Sequence, residues 1–336
     1  MVDIEYCKNQ IEKFENAIIS YPKSKIENPR DTSKRIDDFC VFILSFGRSD
    51  NVITYNTLHK ESKQFSQDVY IICSDDDKDL ENYQEKFGEK VLVFNKDILS
   101  EYIDKGNNFD DKKVILFARN ICFGFARKLG YRYFVEFDDD YSQFSQRFVA
   151  HTETGDMLKQ RQLIDYDIMF KAHLDLFKST PCRTIAFSQN GDYIGGAGNG
   201  DNARGWKRKA MNSFFCDIEK PFLFFGLLNE DVNYYSTTGR MGILNYSMYG
   251  YSLNQGTTQA NSGGMTDEYL ASGTYVKSFY SVMYCPSAVK ISLLGNPGKE
   301  KRIHHNVKGE NCYVKVLDEK YKNDTYDNIH NKELDW

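Results

Sequence analysis

The stretch Tyr131-Arg-Tyr-Phe-Val-Glu-Phe-Asp-Asp-Asp-Tyr141 joins a strand-forming segment to three consecutive carboxylates, Asp138, Asp139 and Asp140. β-Branched and aromatic residues favour a strand. Like charges at its end repel each other, and a divalent cation held by oxygen ligands is the usual compensation. Asp138 and Asp140 point to the same side of an extended backbone, so they could share one ion or one ion-bound diphosphate. The pattern predicts a metal site; the alternative is a solvated acidic turn after a buried strand.

Short apolar runs separated by segments with helical spacing make up the first half of the chain. These runs are 39–45, 69–73, 90–94 and 133–137. Continuous apolar strands that alternate with helices indicate a mostly parallel sheet covered on both faces. Ligands of such sheets bind outside the carboxyl ends of the strands, where residues 45–48, 74–77 and 138–140 fall. We therefore expect these three polar strand ends to meet at one crevice.

Helices and further strands are predicted around this core. The expected helices are 4–19, 112–129 with Gly130 as its C-cap, 156–179 and one that starts near Thr266; strand-like patterns recur at 184–188, 211–216, 221–228 and 243–253. Between them, 190–200 and 254–264 are rich in glycine or small polar residues and are predicted to be loops.

Composition indicates a protein with a large core. The chain has 336 residues, is 41% hydrophobic and carries a net charge of −5, which argues against a surface that binds polyanions everywhere. Its eight cysteines include no C-x-x-C pair and favour reduced core residues of a cytosolic protein. Because no signal peptide and no apolar run near 18 residues is evident, we expect neither secretion nor membrane insertion.

Two more groups could carry chemistry. Glu230 and Asp231 follow the apolar run 222–228, and a carboxylate within about 3 Å of a hydroxyl can act as its general base. A helix N-terminus, where acids complement the macrodipole, explains the pair equally well. His304 and His305 are expected on a strand, facing opposite sides, so that at most one joins the acidic triplet as a metal ligand. A lone histidine is usually structural.

From about residue 38 to 310 the chain resembles the nucleotide-sugar-dependent glycosyltransferases of the GT-A fold. In this comparison Ser45, Gly47 and Arg48 resemble the nucleotide-facing loop after the first strand, Asp75 the acid that meets the base or ribose, and 138–140 the D-x-D metal motif. The pair 230–231 is similar to the acceptor-side acidic motif, and His304 or His305 resembles the late metal ligand.

Within that fold the chain most resembles the glycosyltransferases associated with TET/JBP oxygenases, which occur in bacteriophages and act, by proposal, on hydroxymethylated pyrimidines in DNA. The likeness is carried by Leu44-Ser-Phe-Gly-Arg-Ser-Asp-Asn51 with Thr54, by Arg119-Asn120 and by Asn229-Glu-Asp231. It implies an α/β, Rossmann-like mixed and mostly parallel sheet, with helices on both faces and a β-rich acceptor-side half.

The resemblance also implies a mechanism. Mn²⁺ or Mg²⁺ on Asp138 or Asp140 would bind the diphosphate of a nucleotide-sugar, with a UDP-sugar favoured. Asp139, Arg48 and Arg119 would complete the donor site; the alternative for the arginines is a surface or capping role. Glu230 or Asp231 would deprotonate the acceptor if the glycosidic bond inverts, and would only orient substrates if it is retained.

The acceptor implied by the resemblance is 5-hydroxymethylcytosine in DNA. Trp206, Lys207 and Arg208 are candidate contacts to a base and to phosphates, although ordinary solvated charges explain them equally. A carbohydrate, lipid-linked or protein acceptor is the alternative. A nucleotidyltransferase is a third hypothesis, but the G-G-x-G-x-R signature expected after the first strand is absent, since 45–48 contains a single glycine.

These expectations divide the chain into an N-terminal helical lead-in at 1–37, a nucleotide-sugar-binding half at 38–188, an acceptor and metal-completing half at 189–317 and a tail at 318–336. We expect a cytoplasmic enzyme, located in a host bacterium if a phage encodes it, that contacts no membrane and needs no obligate protein partner.

Overall fold

The computed structural model describes residues 3–29, 32–106, 115–193, 196–198, 206–207, 209–255, 276–294 and 301–309. Its strands are β1 (Ile18–Ser20), β2 (Phe39–Leu44), β3 (Asp68–Ser74), β4 (Val91–Phe94), β5 (Tyr133–Asp138), β6 (Tyr141–Thr152), β7 (Gly155–Gln162), β8 (Thr184–Gln189), β9 (Trp206–Lys207), β10 (Ser213–Asp217), β11 (Asn245–Gln255), β12 (Val289–Leu294) and β13 (Arg302–Val307). Its helices are α1 (Ile4–Phe14), α2 (Ile53–Leu58), α3 (Leu80–Phe87), α4 (Lys96–Ser100), α5 (Leu116–Leu129), α6 (Tyr166–Ser179), α7 (Glu230–Arg240) and α8 (276–284).

One mixed sheet of eleven strands forms the centre of the molecule, in the order β1-β4-β3-β2-β5-β10-β8-β11-β6-β7, with β9 beside β11. The strands β4, β3, β2 and β5 are mutually parallel. Beyond β5, β10 runs antiparallel to both of its neighbours, and β8 and β11 are again parallel. The predicted α/β class with a mixed sheet is confirmed. Strands from both predicted halves share this sheet, and the boundaries between the halves stay a prediction.

Helices cover both faces of the sheet, as predicted. Phe42 of β2 packs on one face against Phe134, whose ring lies 5.0 Å from Phe123 of α5. Its neighbour Phe39 points to the other face and lies 5.5 Å from Phe170 of α6. Every residue of β2 is buried. Apolar residues are therefore needed at consecutive positions, which explains the continuous apolar runs of the sequence.

Two predicted helices differ in the structure. α1 ends at Phe14, and Ile18–Ser20 forms β1, which pairs antiparallel with β4 at the sheet edge. The expected helix 156–179 begins only at Tyr166, because 155–162 is strand β7, paired with β6. β7 is almost entirely exposed, so it needs no apolar residue at every second position and shows no strand periodicity.

The apolar run 221–228 was predicted as a strand and is irregular in the structure, yet it is buried. The Asn120 side chain on α5 substitutes for a sheet neighbour: its Nδ2 donates to the Phe224 carbonyl at 3.1 Å and its Oδ1 accepts from the Phe224 amide at 3.0 Å. Asn233 of α7 donates to the carbonyls of Phe225 and Leu228. Side-chain amides thus satisfy part of a buried backbone that does not form a strand.

Of the remaining predictions, some are confirmed and others fall on segments outside the described residues. The 184–188 strand, the 243–253 strand and the cap at Gly130 are confirmed, and Ser213–Asp217 forms the core of the expected 211–216 strand. Two 3₁₀ turns, Asn190–Tyr193 and Gly196–Gly198, lie in the glycine-rich segment. The loop after Gln255, the helix start at Thr266 and Cys312 lie outside the described residues, while the seven described cysteines are buried thiols. None of the helices described above is long and apolar enough to span a membrane.

Gly130 ends α5 with φ of +76°, and a Cβ added there would meet only the Lys25 Cε at 3.9 Å. We expect Gly130→Ala to lower the free energy of unfolding by about 1 kcal/mol, because left-handed backbone strains an L-residue without any steric clash. Urea denaturation measures this loss. Gly250→Ala is the control, since Gly250 lies in a strand with open space and ordinary φ; an equal loss in both variants would contradict the explanation.

Candidate functional site

The three polar strand ends meet at one crevice, as predicted. Ser45, which follows β2, donates from Oγ to Asp139 Oδ2 at 2.6 Å. The Gly47 amide donates to Asp77 Oδ2, after β3, at 2.9 Å. Because β2, β3 and β5 are parallel, their carboxyl ends lie at the same sheet edge. The predicted nucleotide-facing loop and the acidic triplet therefore lie in direct contact.

The loop after β2 is held in one conformation by its neighbours. Arg48 Nη1 pairs with Asp139 Oδ1 at 2.9 Å, and the Arg48 amide donates to the Tyr83 hydroxyl at 2.9 Å. Gly47 has φ of +66°, which only glycine adopts without strain. Sequence reasoning missed Tyr83, an unmarked residue of α3, whereas Asp77 lies in the strand end 74–77 that was predicted to reach the crevice.

Thr54 of α2 fixes the backbone of the triplet. Its hydroxyl donates to the Asp138 carbonyl at 2.6 Å and accepts from the Tyr141 amide at 2.9 Å. Its own amide donates to the Asp139 carbonyl at 2.9 Å. Three hydrogen bonds from one residue hold the turn between β5 and β6, so the directions of the three carboxylates are set by the scaffold.

The three carboxylates of the triplet have different environments. Asp139 is 5% exposed, and its two carboxylate oxygens contact Ser45 and Arg48. Asp138 pairs with Arg119. Asp140 Oδ1 is buried and accepts no hydrogen bond from the residues that the structure describes. Burial, together with the charges of Asp138 and Asp139, raises the pKa of Asp140 to about 7. An oxygen that is buried and unpartnered among like charges is the atom best suited to a cation.

Arg119 on α5 is the centre of the site. Its Nε donates to Glu230 Oε1 at 2.8 Å, and its Nη2 donates to Asp138 Oδ1 at 3.0 Å. Its Nη1 lies 3.7 Å from Glu136 Oε2, an ion contact too long for a hydrogen bond. The side chain is 2% exposed. One guanidinium thus connects the triplet of β5 to the acid pair at the start of α7.

Negative charge exceeds positive charge around this guanidinium. Burial raises the pKa of Asp138 to about 6, although Arg119 lowers it. Burial also raises the pKa of Glu136 well above its ordinary value, since that side chain is fully buried below Arg119. The ring of Phe214 lies 4.9 Å from the guanidinium carbon and keeps water from one side. The unbalanced charge favours an additional cation in the crevice.

Glu230 and Asp231 begin α7, so the pair occupies a helix N-terminus; its role as a general base stays a prediction. Asn229 precedes them with φ of +55°. Asp231 Oδ1 accepts from the Val232 amide at 2.7 Å, while Glu230 contacts Arg119. Burial is the main cause of the raised pKa of both carboxyls.

His304 and His305 lie on β13, a strand as predicted, but their rings do not face opposite sides. Their ring centroids are 4.2 Å apart, and among the described strands β13 pairs only with β12. His305 Nδ1 lies 3.1 Å from Asn229 Nδ2, and burial lowers the pKa of His305 to about 3. The structure thus places His305 beside the residue that precedes the acid pair; its role as a metal ligand stays a prediction.

The remaining predicted residues are Asp75, Trp206, Lys207 and Arg208. Asp75 is exposed and accepts from Asn95 Nδ2 at 2.6 Å. Trp206 and Lys207 form β9, which pairs with Met248 and its neighbour on β11. Arg208 lies outside the described residues.

The oxygen atoms of the triplet suit Mg²⁺ or Mn²⁺, which prefer carboxylate ligands. No group of three histidine, cysteine or acidic side chains close enough to hold a metal occurs in the described ranges. Mg²⁺ typically takes one or two carboxylates and completes its shell with water and substrate phosphates. Asp138 and Asp140, with the unpartnered Oδ1 of the latter, fit that pattern.

Fold and site define an α/β protein with an acidic, ligand-binding crevice at the carboxyl ends of its parallel strands. The chain belongs to the TET-Associated Glycosyltransferase family, whose model matches residues 39–264. It is therefore a glycosyltransferase, and the nucleotidyltransferase hypothesis is set aside. No curated protein matches the chain.

Solved structures with distant likeness include a mycobacterial protein, with 10% identity, coverage of 80% of this chain and 83% of the other, and a TM-score of 0.40. Glucosyl-3-phosphoglycerate synthase from Mycobacterium tuberculosis, solved with Mg²⁺ and UDP, shows 9% identity, 80% and 87% coverage and a TM-score of 0.39. The same enzyme with Mn²⁺, UDP and phosphoglyceric acid shows 10% identity, 86% and 95% coverage and a TM-score of 0.37.

The raised pKa of Asp140 predicts a stability that depends on pH. A carboxyl whose pKa is about 7 in the folded protein and ordinary when unfolded stabilises at low pH and loses that contribution as pH rises through about 7. In metal-free buffer we expect Asp140→Asn to raise the free energy of unfolding at pH 8 by about 1 kcal/mol or more, and less at pH 5. Urea unfolding at both values measures this. A gain that does not change with pH would contradict the electrostatic cause.

The ion contact between Arg119 and Glu230 predicts strong coupling. Arg119→Met should cost about 3–5 kcal/mol of stability, because it leaves buried carboxylates without their partner. A double-mutant cycle with Glu230→Gln should give a coupling energy of about 1–3 kcal/mol. The matched control is the pair Arg132 and Asp217, 3.3 Å apart with the arginine 48% exposed, for which we expect less than about 1 kcal/mol. Equal coupling in both cycles would contradict the importance of burial.

Proposed function

We propose that this glycosyltransferase moves a sugar from a nucleotide-sugar to the hydroxymethyl group of 5-hydroxymethylcytosine in DNA. The observation that carries the transfer is the Arg119 network, in which one guanidinium holds Asp138 of the acidic triplet and Glu230 of the second acid pair. A donor bound at the first carboxylate and an acceptor at the second would thus be held by one rigid group. Membership of a TET-associated family supports the modified base as acceptor.

The donor side of the proposal is built from residues already in place. Asp138 and Asp140 would hold Mn²⁺ or Mg²⁺, which when bound neutralises charge on the leaving diphosphate. Asp139 holds Arg48 at 2.9 Å and so keeps that guanidinium over the crevice, where it can contact a phosphate. A UDP-sugar is the first donor to test.

Arg119 has a different role from the one its sequence motif implies. It is 2% exposed and its three nitrogens face Glu230, Asp138 and Glu136. Two of its nitrogens already donate to carboxylates, and the third, Nη1, makes no hydrogen bond with the described residues but is buried beside Glu136, so no donor is exposed to a diphosphate. We therefore propose that Arg119 positions Asp138 and Glu230 and balances part of their charge.

Glu230 and Asp231 are the candidate bases for the acceptor hydroxyl. A raised pKa makes a carboxylate a stronger base near neutral pH, and both carboxyls have this property because they are buried. In an inverting reaction one of them would take the hydroxyl proton. Because Arg119 holds Glu230 Oε1 at 2.8 Å, that carboxylate is kept next to the donor side.

The test is a glycosyltransfer assay with Mn²⁺, a panel of nucleotide-sugars and duplex DNA that contains cytosine or 5-hydroxymethylcytosine, read by the mass of the released nucleosides. We expect a sugar-sized gain only on the hydroxymethylated base. Asp140→Ala should lower turnover by about 100-fold or more at unchanged folding, since it removes the unpartnered oxygen.

The controls distinguish the donor site from the acceptor. Gly250→Ala, far from the triplet in sequence, should retain activity. Donor hydrolysis without DNA modification would move the acceptor to a carbohydrate, lipid-linked molecule or protein. Full activity of Asp140→Ala would remove the triplet from the chemistry. A cytoplasmic location and independence from a protein partner stay predictions.

A further inference from the structure

The antiparallel ribbon of β6 and β7 continues directly from the acidic triplet, because β6 begins at Tyr141. β7 is the last strand in the sheet order, so one edge of the ribbon pairs with no described strand. The ribbon is long, with twelve residues in β6 and eight in β7. Its outer part therefore extends beyond the core of the sheet.

Paired residues of a ribbon lie on the same face, and so do alternate residues along each strand. Three pairs define the surface that we call the ribbon face: Gln146 with Arg161, Phe148 with Lys159, and Ala150 with Met157. Phe148 is 44% exposed and Met157 is 45% exposed. Lys159 and Arg161 are exposed as well. The ribbon face thus combines two cations with two uncovered apolar side chains.

The opposite face of the ribbon is partly covered and balanced in charge. Arg147 donates to Ser252 and to Asn190 of the glycine-rich segment. On this face, His151 Nδ1 lies 2.6 Å from Oδ1 of Asp156, its partner on the neighbouring strand. Only the ribbon face is both open and free of acidic residues.

Charge complementarity identifies the kind of partner. The chain carries a net charge of −5, yet the ribbon face carries two positive charges, and no described carboxylate forms an ion pair with Lys159 or Arg161. Phenylalanine, methionine and arginine are also enriched at protein interfaces, but lysine is depleted there, whereas phosphate backbones take up both lysine and arginine. Arg161 donates to Gln146, its partner on the neighbouring strand, at 2.9 Å, so its guanidinium is held across the ribbon.

The dimensions suit a duplex. Two strands about 4.8 Å apart form a ribbon that enters a major groove about 12 Å wide. Phe148 is eight residues from Asp140, which corresponds to about 26 Å of extended chain. This length spans about eight base steps of 3.4 Å. A duplex held on the ribbon face would bring a nucleotide several steps away to the crevice, where it would have to be flipped out of the stack.

We infer that the ribbon face is a docking surface for double-stranded DNA, with Lys159 and Arg161 on its phosphates and Phe148 and Met157 against its groove or sugars. This rests on the proposed function, because it names where the DNA acceptor is held. The modified base itself would be recognised at the crevice, so docking does not require the modification.

The test measures binding of a short fluorescent duplex of unmodified DNA, by anisotropy at several salt concentrations, and donor hydrolysis without DNA. We expect Lys159→Gln/Arg161→Gln to bind about tenfold more weakly or worse at about 0.1 M salt, and to reduce the slope of log affinity against log salt by about 1.8. Phe148→Ala should weaken binding and leave that slope unchanged. Donor hydrolysis should be unchanged in all variants.

The matched control is Lys13→Gln/Lys23→Gln, which removes the same charge from exposed positions near β1, at the other end of the sheet order; it should bind as the wild type does. If the wild type glycosylates DNA and the ribbon variant keeps its affinity and salt slope, the docking inference is overturned and the proposed function stands. If the wild type neither binds nor modifies DNA, both fail. A wild-type dimer that the ribbon variants dissociate, seen by light scattering, would assign the face to a second copy and overturn the inference.

Discussion

The contact of Arg119 with three carboxylates is the interaction on which the site depends. It joins α5 to the end of β5, 19 residues further along the chain, and to the start of α7, 111 residues further along. The guanidinium is desolvated, so it is retained only because charged partners replace its water. Removing any one partner changes the position or the charge of the others. The acidic triplet and the acid pair of α7 are therefore one electrostatic unit.

The crevice holds more negative charge than its arginines balance. Burial raises the pKa of Asp138 to about 6 and of Asp140 to about 7, so the folded protein stores unfavourable electrostatic energy at neutral pH. Thr54, Asp77 and Tyr83 keep the backbone from relaxing to relieve it. The site buries carboxylates with too few cationic partners, which lowers stability. The rigid sheet around the site compensates for this loss, as is expected of an enzyme.

Particular elements show how far sequence reasoning reached. The parallel strands and the cap at Gly130 were predictable, because burial on both faces requires apolar runs and a left-handed end requires glycine. β7 was not predictable, because an exposed strand needs no apolar periodicity. The irregular structure of 221–228 was not predictable either, because side chains outside the segment, those of Asn120 and Asn233, stabilise it. The contact between residues 45–48 and 138–140 was predictable. The part that Tyr83 plays in it was not, because no motif in the sequence marks that residue.

The sequence by itself determined the α/β class, the position of the acidic triplet at a strand end and the resemblance to a glycosyltransferase family, because hydrophobic periodicity and short motifs are local properties. Only the tertiary structure decided which carboxylates are paired, which carboxylate oxygen has no hydrogen-bond partner among the described residues and that Arg119 is buried between Asp138 and Glu230. These properties depend on burial and on contacts between residues far apart in the chain. Neither can be derived from spacing, since desolvation and pairing exist only once the chain has folded.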